Sequence, residues 1–124
     1  MSQTSVLVVD DDEGLREGLV EYLELFGFRT SAASDGLEAL AVLEKDPLPA
    51  LIVLDLMMPR MNGVDFRARQ RADARLADIP VLVLTASHQG RAQSEALGAA
   101  GYFAKPLDLE AFITAVSRYV APAP

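Results

Sequence analysis

Short apolar runs alternating with stretches of helical periodicity constrain this chain more than any other feature of its sequence. The runs at residues 6–9, 51–54 and 81–84 are continuous and rich in β-branched residues. That pattern belongs to strands buried on both faces of a parallel sheet. Residues 28–32 and 102–104 are weaker versions of the same signal. Between them, Leu15, Leu19, Tyr22, Leu23 and Phe26 recur at helical spacing, with Gly27 as the stop. Ser34 or Asp35 can cap a second helix carrying Leu37, Leu40 and Leu43. A third helix is expected to start near Asn62-Gly63 and fade before Pro80, and a fourth to span roughly 90–97 with Gly98 at its end. Asp108 caps a fifth, with Leu109, Phe112, Ile113, Val116 and Val120 on one face. Five strand signals alternating with five helix signals predict an α/β fold of βαβ units with right-handed crossovers.

The 124 residues suit one domain, with a core over about 5–120 and a tail at 121–124. A chain this long buries enough surface to hold a core without staples, and the absence of Cys excludes disulfides and thiolate metal sites. The formal net charge of -7 opposes direct nucleic-acid binding, which needs a basic surface. No apolar run approaches the ~20 residues of a membrane span, and residues 1–5 lack the pattern of a signal peptide. A cytoplasmic protein without membrane contact is expected.

Ligands of doubly wound sheets bind beyond the carboxyl ends of the strands. Strand one is followed by Asp10-Asp11-Asp12, strand three by Asp55, strand four by Thr85 and strand five by Lys105-Pro106. Taken singly, each has an ordinary explanation: a turn former, a β residue or a solvated lysine. Asp12 is best read as the cap of the first helix, and the lone His88 as a surface residue at the start of the fourth. Jointly the ordinary explanations weaken, because four strands would have to share one coincidence. Clustered carboxylates repel, and a sheet edge gathers them only around a cation. Aspartate oxygens without His or Cys suit a hard ion such as Mg²⁺ (or Mn²⁺), which favours one or two carboxylates, waters and a phosphate. A carboxylate left over can act as a nucleophile toward phosphorus, with Lys105 and Thr85 to neutralise the phosphoryl oxygens.

These residues resemble the receiver domains of response regulators in two-component signalling (CheY-like). The resemblance rests on Val8-Val9-Asp10-Asp11-Asp12, Leu54-Asp55-Leu56-Met57-Met58-Pro59, Asn62-Gly63, Leu84-Thr85-Ala86 and Lys105-Pro106, and runs from about Ser5 to Val120. It implies a flavodoxin-like (βα)5 fold with strand order 2-1-3-4-5. It also implies Asp55 as phosphoacceptor, and Asp10, Asp11, Asp55 and the Met57 main-chain carbonyl as Mg²⁺ ligands. Thr85 and Lys105 would contact the phosphoryl group, and the Lys105–Pro106 peptide would be cis. The implied partner is a histidine kinase or histidine phosphotransfer protein, docking near Gly14, Leu15 and Gly18. Thr85 and Tyr102 match the family's switch pair, whose movement would alter the surface of helix four, strand five and helix five toward a downstream protein. The competing reading of Tyr102 is a plain core aromatic. Met57 and Ser87 stand where the family tunes the lifetime of the aspartyl phosphate, and the apolar Met57 points to slow loss. Residues 99–101, Ala-Ala-Gly, lack the paired acidic motif of receivers that dimerise through that surface, which implies a monomer or weak dimer. The run Arg67, Arg69, Arg71 and Arg75 is expected to be the solvated side of helix three and its exit loop.

Two other functions compete. A haloacid dehalogenase-type phosphohydrolase also uses an Asp after its first strand with a second two places on, as in Asp10-x-Asp12, but then requires Thr or Val where this chain has Gly14. A non-phosphorylated interaction module on a receiver scaffold would not need the full acidic set.

Overall fold

The computed structural model describes residues 5–58, 60–86 and 88–121. Five strands and five helices alternate: β1 (Ser5–Val9), α1 (Glu13–Leu25), β2 (Arg29–Ala33), α2 (Gly36–Val42), β3 (Leu51–Asp55), α3 (Gly63–Ala72), β4 (Val81–Thr85), α4 (Gly90–Ala96), β5 (Gly101–Ala104) and α5 (Leu109–Ser117). Every strand pair is parallel and the order is β2-β1-β3-β4-β5, the doubly wound arrangement expected. Pro59, Ser87 and the ends 1–4 and 122–124, on which some expectations fell, lie outside the described residues.

The three apolar runs form the middle of the sheet because both faces are covered. All five residues of β3 and of β4 are buried. Strand alternation divides them between two core layers. Leu7, Val9, Ile52, Leu54, Val81 and Val83 pack with Ala39 of α2 and Phe66 of α3. Val6, Val8, Leu51, Val53, Leu82 and Leu84 pack with Leu19 and Leu23 of α1 and with Phe112 and Val116 of α5. The edge strand β2, Arg-Thr-Ser-Ala-Ala, is largely unburied, which accounts for its faint signal. Phe28 precedes it and is buried in the α1/α5 layer. The ends of the predicted apolar stripes fall outside the core. Phe26 is the C-cap of α1, exposed, with its ring edge-on to Tyr22 at 5.1 Å. Leu37 and Leu109 are exposed, and Ala39 supplies the buried position of α2.

Helix starts follow capping chemistry. Asp12, Asp35, Asn62 and Asp108 accept the N–H of Leu15, Glu38, Asp65 and Ala111 respectively. Gln89, which precedes α4, makes no such side-chain bond. Gly27 and Gly98 follow α1 and α4 with positive φ, as helix ends favour.

The basic run requires a correction. Arg69 and Arg75 are exposed, but Arg67 is only 7% exposed. Its guanidinium donates to the carbonyls of Leu97 at 3.0 Å and Gly98 at 3.1 Å, and to Gln70 Oε1 at 2.7 Å. The fully buried Gln70 amide in turn donates to the Leu76 and Ile79 carbonyls, each at 3.0 Å. Arg71 adds a bond to Leu97 O at 3.2 Å. The cause is the end of α4, whose last carbonyls lack helical partners and favour a cation. Arg67→Ala should therefore lower stability in urea unfolding by about 1–3 kcal/mol, because it orphans the buried Gln70 Oε1 and strips a donor from the part-buried bonds at the end of α4. Arg69→Ala, on the solvated side, should change it by less than about 0.5 kcal/mol.

Candidate functional site

Parallel register brings four strand ends to one edge. Val9 pairs with Leu54, so Asp10 and Asp55 follow side by side. Their alternation with Val8 and Val53 turns both carboxylates to the α1/α5 face. Asp10 is fully buried, Asp55 is 3% exposed and Asp11 faces solvent. Oxygens of the three carboxylates lie within 4.8 Å of one another. Lys105 follows β5 and enters from the other side, its Nζ 3.1 Å from Asp10 Oδ2 and 3.5 Å from Asp55 Oδ2. The Lys105 N–H donates to the Thr85 carbonyl at 3.0 Å, and the Lys105–Pro106 peptide is cis, as expected.

Backbone donors fix the carboxylates further. Asp10 Oδ1 accepts the Asp12 N–H at 2.9 Å, and its carbonyl accepts the Arg16 guanidinium at 2.8 Å. Asp55 Oδ1 accepts the Met57 N–H at 3.1 Å, while the Met57 side chain is exposed at the rim. Gly63 opens α3 against β3 so closely that a Cβ there would come within 2.7 Å of the Asp55 carbonyl oxygen. Asp12 is committed to its cap, bonded at 3.0 Å to the Leu15 N–H. It is therefore not the second acid that an Asp10-x-Asp12 phosphohydrolase site needs.

Thr85 and Tyr102 occupy the opposite face. Thr85 continues the alternation of Val81 and Val83, and is fully buried; Tyr102 is half-buried against that same layer. Both meet at the first residue of α4. A Cβ on Gly90 would lie 2.4 Å from Thr85 Cγ2 and 2.5 Å from Tyr102 Cε1. His88 is exposed in the turn before α4.

Asp55 is pushed up from 3.8 to about 7. Burial is the largest cause, and the Asp10 charge adds to it against the Met57 N–H and Lys105. Burial pulls the Lys105 ammonium down, but the Asp10 and Asp55 carboxylates outweigh it and raise its pKa. The acid-rich pocket fits a hard divalent cation: oxygen donors from three carboxylates, and one buried oxygen, Asp10 Oδ2, whose ion pair with Lys105 is not accompanied by a hydrogen bond.

The family described as response regulator receiver domain matches residues 6–117. The chain belongs to that family. As a receiver domain it is 40% identical over 115 residues to the DNA-binding dual master transcriptional regulator RpaA of Synechocystis, covering 90% of this chain and 46% of that protein. It is 38% identical over 113 residues to the response regulator MprA of Mycobacterium leprae, covering 90% and 48%. The chain thus spans about half the length of these relatives. Among solved structures, it superposes on the chemotaxis protein CheY4 of Vibrio cholerae with a TM-score of 0.84 and 30% identity, covering 96% of this chain and 100% of that one. The response regulator TrrA of Thermotoga maritima, in complex with Mg²⁺ and BeF, gives 0.83 and 27% over 95% and 100%.

The receiver domain thus brings Asp10, Asp11, Asp55 and Lys105 together, with the Met57 N–H on Asp55, and sets Thr85 and Tyr102 beside α4. Arg16, at helical spacing within α1, was not foreseen; no periodicity tells which carbonyl a long side chain reaches. The raised Asp55 carboxyl gives a sign to the pH dependence. Between about pH 4 and about pH 7 the folded protein holds a proton that the unfolded chain has lost, so this group's contribution to stability falls as pH rises through that window. In EDTA, Asp55→Asn should raise Tm by about 3–6 °C near pH 8 and by less near pH 5, measured by thermal unfolding.

Proposed function

We propose that this chain is a single receiver domain over residues 1–124, with Asp55 accepting a phosphoryl group from a phosphohistidine on a histidine kinase or histidine phosphotransfer protein. The observation that carries the reading is the meeting of Asp10, Asp11, Asp55 and Lys105 at one sheet edge. An oxygen of the ionised Asp55 attacks phosphorus as the P–N bond breaks. The electron pair goes to the imidazole nitrogen, and an acyl phosphate forms. Asp10, Asp11, Asp55 and the Met57 carbonyl would hold Mg²⁺ (or Mn²⁺), which when bound offsets the charge of the carboxylates and of the phosphoryl oxygens. Lys105 leaves its contact with Asp55 to pair with one phosphoryl oxygen, and the Thr85 hydroxyl donates to another. The domain assists only this transfer and the later hydrolysis of its own acyl phosphate to carboxylate and inorganic phosphate, and is otherwise a signalling module. With its apolar side chain exposed at the rim, Met57 offers no group to orient water, which favours a long-lived phosphoryl state.

Phosphorylation adds about -1.5 to -2 charges and strong acceptors. Thr85 shifts toward them, and Tyr102, already against Gly90, follows inward, altering the surface of α4, β5 and α5. The kinase or phosphotransfer partner docks beside the acidic pair along α1, where Gly14 and Gly18 are exposed and Gly18 has open space above its Cα. With a net charge of -7, these residues are assigned to a protein partner rather than to nucleic acid.

Incubation with acetyl phosphate and Mg²⁺, followed by intact mass, tests the reading. One phosphoryl group that hydroxylamine removes is expected on the wild type. It should persist at reduced rate in Asp10→Asn and vanish in Asp55→Asn. Labelling that survives Asp55→Asn would defeat the assignment.

A further inference from the structure

We infer that Asp35 and Arg60 form a positioning pair for the acceptor loop between β3 and α3, holding the Met57 main chain in register with Asp55. The inference rests on the reading of Asp55 as phosphoacceptor, but concerns residues outside the acidic cluster. Asp35 is a 3% exposed carboxylate at the start of α2. Its Oδ1 accepts the Glu38 N–H at 2.9 Å, and its Oδ2 meets both Nε and Nη2 of Arg60, at 2.6 and 2.5 Å. The partners stand 25 residues apart, so the contact joins two elements with no local link. Both nitrogens converge on one oxygen, Oδ2, while the cap holds the other, Oδ1, so this charge-assisted contact fixes where the Arg60 head sits against α2. Arg60 needs such fixing: among the described residues it is the one non-glycine with positive φ, at 61°. An L side chain there is strained unless its surroundings hold it.

A second contact makes the same junction. Gly36, next to Asp35, donates its N–H to the Met61 carbonyl at 3.1 Å, and a Cβ on it would lie 2.6 Å from Met61 Cγ. At the other end, the Gly63 N–H donates to the Leu56 carbonyl at 3.1 Å, and the Met57 N–H reaches Asp55. The acceptor loop is therefore anchored to β3 at one end and to α2 at the other. Freeing Arg60 lets the α2 end swing, and Met57 lies between the anchors. Because the Arg60 side chain is 60% exposed, the pair adds little to global stability. Its consequence falls on the loop.

The pair is tested with Arg60→Ala, Arg60→Lys and Asp35→Asn. Asn caps a helix as well as Asp does, so the last variant removes the ion pair and spares α2. Amide hydrogen exchange in EDTA should quicken about tenfold at Met57 and Gly63 in Arg60→Ala and Asp35→Asn. Calorimetric Mg²⁺ affinity should fall about tenfold, as it does when groups supporting metal ligands are lost, with Arg60→Lys intermediate. A lowered Tm with unchanged exchange and unchanged Mg²⁺ affinity in both variants would overturn the inference and reduce the pair to scaffolding. If the wild type gains no phosphoryl group from acetyl phosphate while both variants still loosen the loop, Asp55's assignment fails and the positioning role stands.

Discussion

Lys105 faces Asp10 at 3.1 Å and Asp55 at 3.5 Å, with Asp11 close behind, so one ammonium stands against three carboxylates. At an effective dielectric near 20, unit charges ~4 Å apart interact by about 4 kcal/mol. One cation cannot offset every repulsion among three anions at such separations. The imbalance appears in Asp55, where burial and the Asp10 charge together push the carboxyl up to about 7. A pocket so arranged favours whatever brings positive charge, and the rest of the fold must hold its carboxylates in place without it.

That holding is done by groups that are individually unremarkable in the sequence. The buried strands β1, β3 and β4 fix the height of Asp10, Asp55 and Thr85, because a parallel ladder with both faces covered has no freedom to slip. Gly63 lets α3 begin against the Asp55 backbone, and Gly90 lets α4 begin against Thr85 and Tyr102. In both places a single methyl would collide with main chain or ring, so these two glycines set how near the helices come to the site. The carboxylates and Lys105 lie toward the α1/α5 face, while Thr85 and Tyr102 lie toward α4. β4, which ends in Thr85, thus stands between the carboxylate edge and α4.

The central strands were legible because burial on both faces leaves no polar interruption, and the caps because Asp and Asn at helix starts have a local chemical reason. The gathering of Asp10, Asp11, Asp55 and Lys105 at one edge followed from topology alone, before any side chain was placed. What escaped was carried by long side chains. Arg67 sits on a helix amid other arginines and reads as solvated, yet its guanidinium ends on carbonyls 30 and 31 residues away. Arg16 and Arg60 behave likewise, ending on Asp10 and Asp35. Periodicity locates a Cα; it carries no information about where a flexible stem of several carbons finds its acceptor. The tips of the helical stripes misled as well: Phe26, Leu37 and Leu109 keep the period but stand exposed at the ends of their helices.

The arginines missed by periodicity share a physical role. Arg67 and Arg71 satisfy the terminal carbonyls of α4, and Arg60 braces the acceptor loop against α2. Each spans two elements that the sheet alone does not connect. In an acidic chain such cations are scarce, and here they stand at the joints of the α2, α3 and α4 layer. The two ends of α4 are met by different chemistry. Its C-terminal end is tied by two guanidinium groups, while its N-terminal residue rests by contact on Thr85 and Tyr102, with no side-chain cap at Gln89. Because Gly90 packs directly on both side chains, a shift of Thr85 or Tyr102 would be felt first there.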